Sequence, residues 1–200
     1  MSLFRRARDV PAEARVPTRV ERFLEHLDSL SGGIEPEFLP IDSTKPGLKG
    51  VTAITYRALP EPGMLTAVTY GLSLATHPEW VLGRPELCIS VRSQDLAWAR
   101  ATAFIAEQMR GDCPFCYGDT LGFGDRMSEE STMTAFVVFA PAVLDRSDFL
   151  NIDVGDDVPV SIAGLYPIHQ SEREFVQAQG LEAFWHLEWD PYDVRRAPVA

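Results

Sequence analysis

Apolar residues recur at helical spacing near the beginning of the chain. Thr18 and Glu21 stand three positions apart, the spacing of a capping box, in which the side chain of each residue accepts a hydrogen bond from the backbone of the other. Ser31-Gly32-Gly33 is a stop signal further along. The apolar residues at helical spacing are Val20, Phe23, Leu24, Leu27 and Leu30. This pattern predicts an amphipathic helix between the two signals.

Runs rich in β-branched and aromatic residues predict strands in the middle of the chain. The first two, Val51–Leu59 and Met64–Gly71, are separated by the turn sequence Pro60-Glu61-Pro62-Gly63, so the pair predicts a hairpin. Three further strands are predicted at Pro85–Val91, Met133–Ala140 and Val158–Leu165.

Two more helices are predicted in the second half of the chain. Ser93 can cap a helix over Gln94–Arg110, which a glycine then ends. Ser171 and Glu174 form a second capping box before a last helix, which stops at Gly180.

Glycine and aspartate residues between positions 111 and 130 indicate a long loop, and an aromatic tail begins at position 185. Taken in order, these elements predict an α+β domain with a mixed, mostly antiparallel β-sheet and packed helices.

The composition is that of one globular domain. Hydrophobic residues make up 46% of the 200 residues and charged residues 24%, and a chain of this size buries about 70% of its surface. We expect a flexible basic arm at residues 1–16 and a single domain at residues 17–200. Because no membrane span or secretory signal is visible, we expect a cytoplasmic protein. Three cysteines are too few for a disulfide framework, so folding is expected to need neither a disulfide nor a metal.

The net charge of −11 is unevenly distributed. Residues 1–22 hold six arginines against three carboxylates, whereas the remaining 178 residues hold 12 basic and 26 acidic side chains. A body this acidic repels phosphate backbones, so nucleic acid is not an expected partner. A basic protein is the partner that this charge favours, while solvation alone is the alternative explanation.

Cys113 and Cys116 form a C-x-x-C pair, which can be a redox dithiol or half of a zinc site. A dithiol needs its first cysteine at the start of a helix that follows a strand, but this pair is predicted in a loop after a helix. The other candidate ligands for zinc have no paired spacing; they are Cys88, His26, His77, His169 and His186. A metal or redox protein is therefore an alternative, and a loop without chemistry is favoured.

Gly71-Leu-Ser73-Leu-Ala75 follows a predicted strand and is similar to the nucleophile elbow of hydrolases. Asp153 and His169 supply the remaining residues of a Ser…Asp…His order. The elbow requires a helix that begins at the serine, whereas His77-Pro78 follows within a turn, and no oxyanion-hole sequence is visible. A hydrolase that uses Ser73 is the enzyme alternative, and a turn at the end of a strand is favoured.

Several segments, in order over about residues 45–185, resemble the Suppressor of fused (Sufu) domain family. They are Leu65-Thr-Ala-Val-Thr-Tyr-Gly-Leu-Ser73, Arg84-Pro-Glu-Leu-Cys-Ile-Ser-Val91, Gly118-Asp-Thr-Leu121 with Ser131–Pro141, and Leu165–Gly180. The resemblance implies helices packed on a mixed sheet, no catalytic residues, no cofactor, and a protein partner.

In animals the family protein clamps an extended Gli peptide between two domains, and this chain matches the N-terminal one. Small bacterial members of the family serve as immunity proteins that bind and neutralise a cognate toxin. The resemblance therefore implies a small bacterial single-domain member with this role.

The residues of these motifs also have a structural explanation. Strand alternation places Glu86 on the side of its strand opposite to Leu87, and Gly71 can adopt backbone angles that other residues avoid. We expect these features to shape a sheet edge or rim without supplying a reacting group. The chain is accordingly expected to be a binding protein rather than an enzyme.

An acidic segment lies between two of the predicted strands and has Arg146 as its only basic residue. Its carboxylates are Asp145, Asp148, Asp153, Asp156 and Asp157. We expect this segment to steer a basic partner, with desolvated anchors supplied by the aromatic residues Trp80, Trp189 and Tyr192. The alternative is that the aspartates form only a solvated loop and that the tail aromatics fold back on the core.

Overall fold

The computed structural model describes residues 15–200, and a seven-stranded β-sheet forms its centre. The strands are β1 (Glu37–Pro40), β2 (Thr52–Arg57), β3 (Leu65–Tyr70), β4 (Arg84–Val91), β5 (Thr120–Gly122), β6 (Ala135–Phe139) and β7 (Val160–Ile168). Their order across the sheet is β1-β2-β3-β4-β7-β6-β5. Residues 1–14 of the predicted basic arm lie outside the described residues.

Neighbouring strands pair antiparallel with one exception, because β4 and β7 run parallel. In the hairpin of β2 and β3, Ile54 lies opposite Val68, and in the parallel pair Cys88 lies opposite Gly164. The predicted α+β class, with a mixed and mostly antiparallel sheet, is confirmed.

Five helices accompany the sheet in the described part of the chain. They are α1 (Arg19–Ser31), α2 (Ala97–Met109), α3 (Arg146–Phe149), α4 (Gln170–Gln179) and α5 (Leu181–Trp185). The start of α1 is the predicted capping box: the backbone N–H of Thr18 donates to the Glu21 carboxylate at 2.7 Å. Its end is Gly32, whose φ of +66° suits a glycine.

The predicted starts of the other two long helices are wrong, by three residues for α2 and by two for α4. Ser93 Oγ accepts a hydrogen bond from Asp95 N–H, and the Asp95 carboxylate accepts one from Ala97 N–H. These two local turns keep residues 93–96 out of α2. At α4 the capping box uses His169 and Glu172, because β7 continues to Ile168 and the helix begins immediately afterwards.

Four short elements were not predicted: β1, β5, α3 and α5. β1 lies in a stretch punctuated by proline and glycine, and β5 lies within the predicted loop 111–130. Both of these strands are held by pairing with a stronger neighbour. In β1, Phe38 lies opposite Ile54 of β2, and in β5, Leu121 lies opposite Phe136 of β6.

Helices cover both faces of the sheet. On one face, α2 buries a row of side chains against the strands; these are Trp98, Ala99, Ala103, Ile105 and Ala106. On the other face, α1 buries Phe23 and Leu27 against β2, β3, β4 and β7. Beside it, Val176 of α4 and Phe184 of α5 pack on β6 and β7. The core is therefore divided by the sheet into an α2 side and an α1/α4 side.

Candidate functional site

A buried carboxylate lies at the centre of the sheet, on β4. Glu86 is 0% exposed. Its carboxylate accepts five hydrogen bonds from residues 69–73. Three come from the backbone N–H groups of Gly71 (2.9 Å), Leu72 (3.3 Å) and Ser73 (3.1 Å). The other two come from the hydroxyls of Thr69 (2.6 Å) and Ser73 (2.5 Å). These motifs were expected to shape a sheet edge or a rim. The edge is wrong, since β3 and β4 are both interior strands, whereas the turn that follows β3 does lie at the strand ends.

Gly71 makes this arrangement possible. Its φ is +129°, and a Cβ at this position would lie 3.0 Å from both Gly50 O and Val51 Cα. Only glycine fits this close approach. The chain can therefore turn from β3 directly into the 3-10 turn Leu72–Leu74, and the N–H groups of Gly71 and of the first two residues of the turn point at the Glu86 carboxylate.

Burial raises the pKa of Glu86 above its ordinary value, and the hydrogen bonds from Ser73, Thr69 and Gly71 lower it only in part. All five donors are uncharged, and the Arg19 guanidinium reaches this carboxylate only through the Ser73 hydroxyl, so the loss of water is offset only in part. Glu86 therefore joins β3, β4 and the 3-10 turn without contacting solvent.

Ser73, the candidate nucleophile, is part of this buried site and is 0% exposed. Its hydroxyl donates to Glu86 and accepts a hydrogen bond from Arg19 Nη2 at 2.6 Å. The other two residues of the proposed triad lie elsewhere: His169 Nε2 bonds to a backbone carbonyl of the C-terminal tail, and Asp153 faces α1. The structure does not bring Ser73, Asp153 and His169 together.

The C-x-x-C pair lies in the loop after α2, as predicted, and both cysteines are free thiols. Burial raises the pKa of Cys113 and of Cys116, which disfavours the reactive thiolate. Within residues 15–200, no three His, Cys, Asp or Glu side chains are placed to hold a metal ion.

Two aspartates of the acidic segment are paired with arginines that are distant in sequence. Asp156 accepts a hydrogen bond from Arg19 Nε at 2.9 Å and lies 3.8 Å from Arg84 Nη1. Asp153 lies 3.6 Å from Arg22 Nη1. These ion pairs reduce the net negative charge of the acidic segment, in which Arg146 is the only basic residue.

The other aspartates of the segment form no ion pair with a described residue; they are Asp145, Asp148 and Asp157. Asp145 and Asp157 are exposed. Asp148 is half-buried, and its backbone carbonyl accepts a hydrogen bond from His26 Nε2 at 2.7 Å. The segment thus lies against α1 and keeps part of its charge at the surface.

The three candidate aromatic anchors are all packed against the body of the protein. Trp80 is only 8% exposed and donates from its indole N–H to Pro114 O, so it belongs to the core and not to the surface. Trp189 and Tyr192 are half-buried, with arginine side chains against their rings. The tail therefore folds back on the core, which is the alternative that the sequence left open.

A groove between α1 and β1 was missed because β1 itself was not predicted. Its volume is about 400 Å³, and it is lined by Glu21, Leu24, Glu25, Asp28, Pro36, Phe38 and Tyr56. We call it the α1–β1 groove. The signal available in the sequence was the apolar pair Phe38-Leu39, isolated among proline and glutamate residues.

These observations define an α+β domain in which the sequence motifs around Gly71 and Glu86 build a buried carboxylate site. The family model for the Suppressor of fused protein (SUFU) matches residues 46–197, and the chain belongs to this family. The residues around Glu86 lie within the matched region. The resemblance of the motifs is thus confirmed.

Solved structures share the fold. A protein described as a suppressor-of-fused homologue from Neisseria gonorrhoeae has a TM-score of 0.68 and 20% identity over 90% of this chain and 95% of its own. A chain from the structure of a Sufu–Fu complex has a TM-score of 0.67 and 14% identity, over 92% of this chain and 93% of its own.

Drosophila Suppressor of fused has a TM-score of 0.66 and 14% identity; the match covers 92% of this chain and 51% of the Drosophila protein. This chain therefore corresponds to about half of that protein. A comparison with curated proteins gives no match by sequence. Of the helices described, none is both long and apolar enough to cross a membrane.

Proposed function

We propose that this chain is a non-catalytic protein-binding domain of the immunity type, which binds and neutralises a cognate toxin. The observation that carries the proposal is the position of Ser73, whose hydroxyl is enclosed and donates to Glu86. A catalytic serine needs access to substrate, which the enclosed Ser73 hydroxyl does not have. The residues that resemble a hydrolase motif instead stabilise the sheet.

Two further observations support a protein partner, and a third supports the compartment in which it acts. The chain belongs to the Suppressor of fused family, and one of the solved structures that share its fold is that of a Sufu–Fu complex. Its net charge of −11 favours a basic partner and disfavours nucleic acid. Its three cysteines are free in the structure, which suits action in a reducing cytoplasm.

We propose that the acidic segment speeds the encounter with this partner. Asp145 and Asp157 are the strongest contributors because they are exposed and unpaired among the described residues, while Asp148 and Asp153 contribute less. Asp156 contributes least, because Arg19 and Arg84 already offset its charge. The exposed parts of Trp189 and Tyr192 are the remaining candidate anchors, because Trp80 is buried in the core.

The test begins with capture of partners on the immobilised protein and identification by mass spectrometry. A captured protein counts as the toxin only when its expression alone arrests growth and co-expression of this chain restores growth. We expect the charge reversals Asp145→Lys and Asp157→Lys together to slow association about 3–10-fold at low salt, with a smaller effect at physiological salt, where the Debye length is about 8 Å.

The matched control reverses two exposed charges elsewhere, Glu174→Lys and Glu182→Lys. An equal slowing by the control would remove the acidic segment from the mechanism. Labelling of Ser73 by a serine-hydrolase probe, lost in Ser73→Ala, would contradict the whole proposal.

A further inference from the structure

The α1–β1 groove exists because α1 does not cover the edge of the sheet. Phe23 and Leu27 bury α1 against the inner strands, so the outermost strand, β1, keeps its face open. Phe38 lies opposite Ile54 in the register and remains 52% exposed. A large apolar side chain is thus left uncovered between a helix and an edge strand.

The groove combines an apolar floor with an acidic rim. Leu24, Phe38 and Tyr56 supply apolar surface, and the rim along α1 carries Glu25 and Asp28, which lie on adjacent turns. Neither carboxylate forms an ion pair with another described residue. No lysine or arginine of the described chain lines the groove.

Two other titratable groups line the groove but add no free charge to it. Glu21 is already engaged, since it caps α1 and pairs with Arg15 at 3.0 Å. Burial, and after it the charge of Asp28, raise the pKa of Tyr56 to about 12. The charges that remain available to a ligand are therefore Glu25 and Asp28.

The outer edge of β1 is poorly suited to pairing with another strand. Ile41 N–H donates to Val51 O, so the backbone groups of Phe38 and Pro40, at the alternate positions, point away from β2. Pro40 has no N–H to donate, and Pro36 precedes the strand. Prolines at such positions prevent strand addition, so recognition at this groove depends on side chains.

We propose that the α1–β1 groove docks a segment of the protein partner in which a bulky apolar side chain is flanked by lysine or arginine. The apolar side chain packs on Leu24, Phe38 and Tyr56, and the basic side chains pair with Glu25 and Asp28. From Glu21 to Asp28 the helix rises about 10 Å, which is the length of about three residues of an extended chain. The docked segment is accordingly short.

This inference rests on the proposed function in one respect, namely that the partner is a basic protein. It is tested with a synthetic probe, so that the two can fail separately. The probe is the fluorescein-labelled peptide Gly-Lys-Arg-Phe-Lys-Arg-Gly, and its binding to the full chain is measured by fluorescence anisotropy. Two companion peptides replace the phenylalanine by alanine or all basic residues by glutamate.

We expect each companion peptide to bind at least 10-fold more weakly than the probe. In the protein, Phe38→Ser and the double change Glu25→Lys with Asp28→Lys are each expected to weaken probe binding about 10-fold. All three positions are exposed, so these variants should keep the unfolding temperature of the wild type. The matched control, Asp145→Lys with Asp157→Lys, makes the same change of net charge elsewhere and should alter probe binding less than 2-fold.

Equal weakening by the control, or no effect of the groove variants, would overturn the proposal by showing that binding is unspecific. Stronger probe binding after Arg5, Arg6 and Arg8 are changed to serine would identify the chain's own N-terminal segment as the occupant. A dimer in sedimentation that Phe38→Ser converts to monomer would identify a second copy. If the captured partner binds the groove variants as tightly as the wild type, the groove proposal fails and the proposed function stands.

Discussion

Two glutamates of this protein have no exposed surface but accept hydrogen bonds from different kinds of donor. Glu86 in the centre of the sheet and Glu172 at the start of α4 are both 0% exposed. Glu86 accepts hydrogen bonds from uncharged donors alone among the described residues. Glu172 accepts two from the Arg196 guanidinium, and others from the N–H groups of His169 (2.8 Å) and Val199 (3.0 Å).

The difference in partners reverses the direction of the pKa shift. Burial raises the pKa of both carboxyl groups. For Glu86 this effect dominates, and the pKa ends above its ordinary value. For Glu172 burial is again the largest single effect, but the hydrogen bonds from Arg196, His169 and Val199 and the charge of Arg196 together outweigh it, and the pKa ends below its ordinary value. Burial therefore does not decide the charge state of a carboxylate until its donors are known.

The two sites also join different parts of the molecule. Glu86 connects segments that are close in sequence, the end of β3 and the strand β4, and so fixes the turn that contains Ser73. Glu172 connects α4 to the C-terminal tail through Arg196 and Val199. The first site organises the centre of the sheet, and the second keeps the tail folded on the body.

The largest effect is expected from Glu86→Leu. The substitution removes the acceptor of five buried hydrogen bonds, and an unsatisfied buried donor costs about 1–3 kcal/mol. We expect the free energy of unfolding, measured in urea, to fall by about 4 kcal/mol or more. Glu188→Leu, an exposed glutamate in the tail, is the control and should change it by less than about 0.5 kcal/mol. Similar values for the two variants would contradict the central role of Glu86.

A smaller loss is expected from Arg196→Met, which leaves Glu172 buried without its positive partner. Breaking a buried ion pair from one side costs about 3–5 kcal/mol, and methionine can retain part of the packing on Trp189. Arg195→Met removes an ion pair whose arginine is 60% exposed, so it should cost at most about 1 kcal/mol. If Arg195→Met were as costly as Arg196→Met, the contrast between the two glutamates would not hold.

Local signals in the sequence were sufficient for much of the fold. The capping box of Thr18 and Glu21 defined α1, and alternating apolar residues defined the hairpin of β2 and β3. The edge strands β1 and β5 escaped prediction because they have four and three residues and are stabilised by pairing with distant strands. Pairing of this kind leaves no periodic pattern in the short partner.

The site was predictable only in part, for a similar reason. Alternation correctly placed Glu86 on the side of β4 opposite to Leu87, but the position of β4 inside the sheet depends on its parallel pairing with β7, which is about 75 residues further along. The charge of the acidic segment was overestimated because Arg19 and Arg84, which pair with Asp156, are far from it in sequence.

The smallest expected effect is a difference in pH dependence between Glu86→Gln and Glu172→Gln. Because the pKa of Glu172 is lowered on folding, its contribution to stability is complete above its ordinary value of 4.5 and is lost as the pH falls through the folded pKa. The destabilisation by Glu172→Gln should therefore shrink as the pH falls below 4.5.

The pKa of Glu86 is raised on folding, so its contribution is complete below 4.5 and is lost as the pH rises towards the folded pKa. The destabilisation by Glu86→Gln should therefore shrink as the pH rises above 4.5, in total by about 1.4 kcal/mol for each unit by which folding raises the pKa. Urea unfolding of both variants and the wild type at several values between pH 3 and pH 7 measures the two slopes. Parallel slopes would show that the uncharged donors around Glu86 compensate its burial as well as Arg196 compensates that of Glu172.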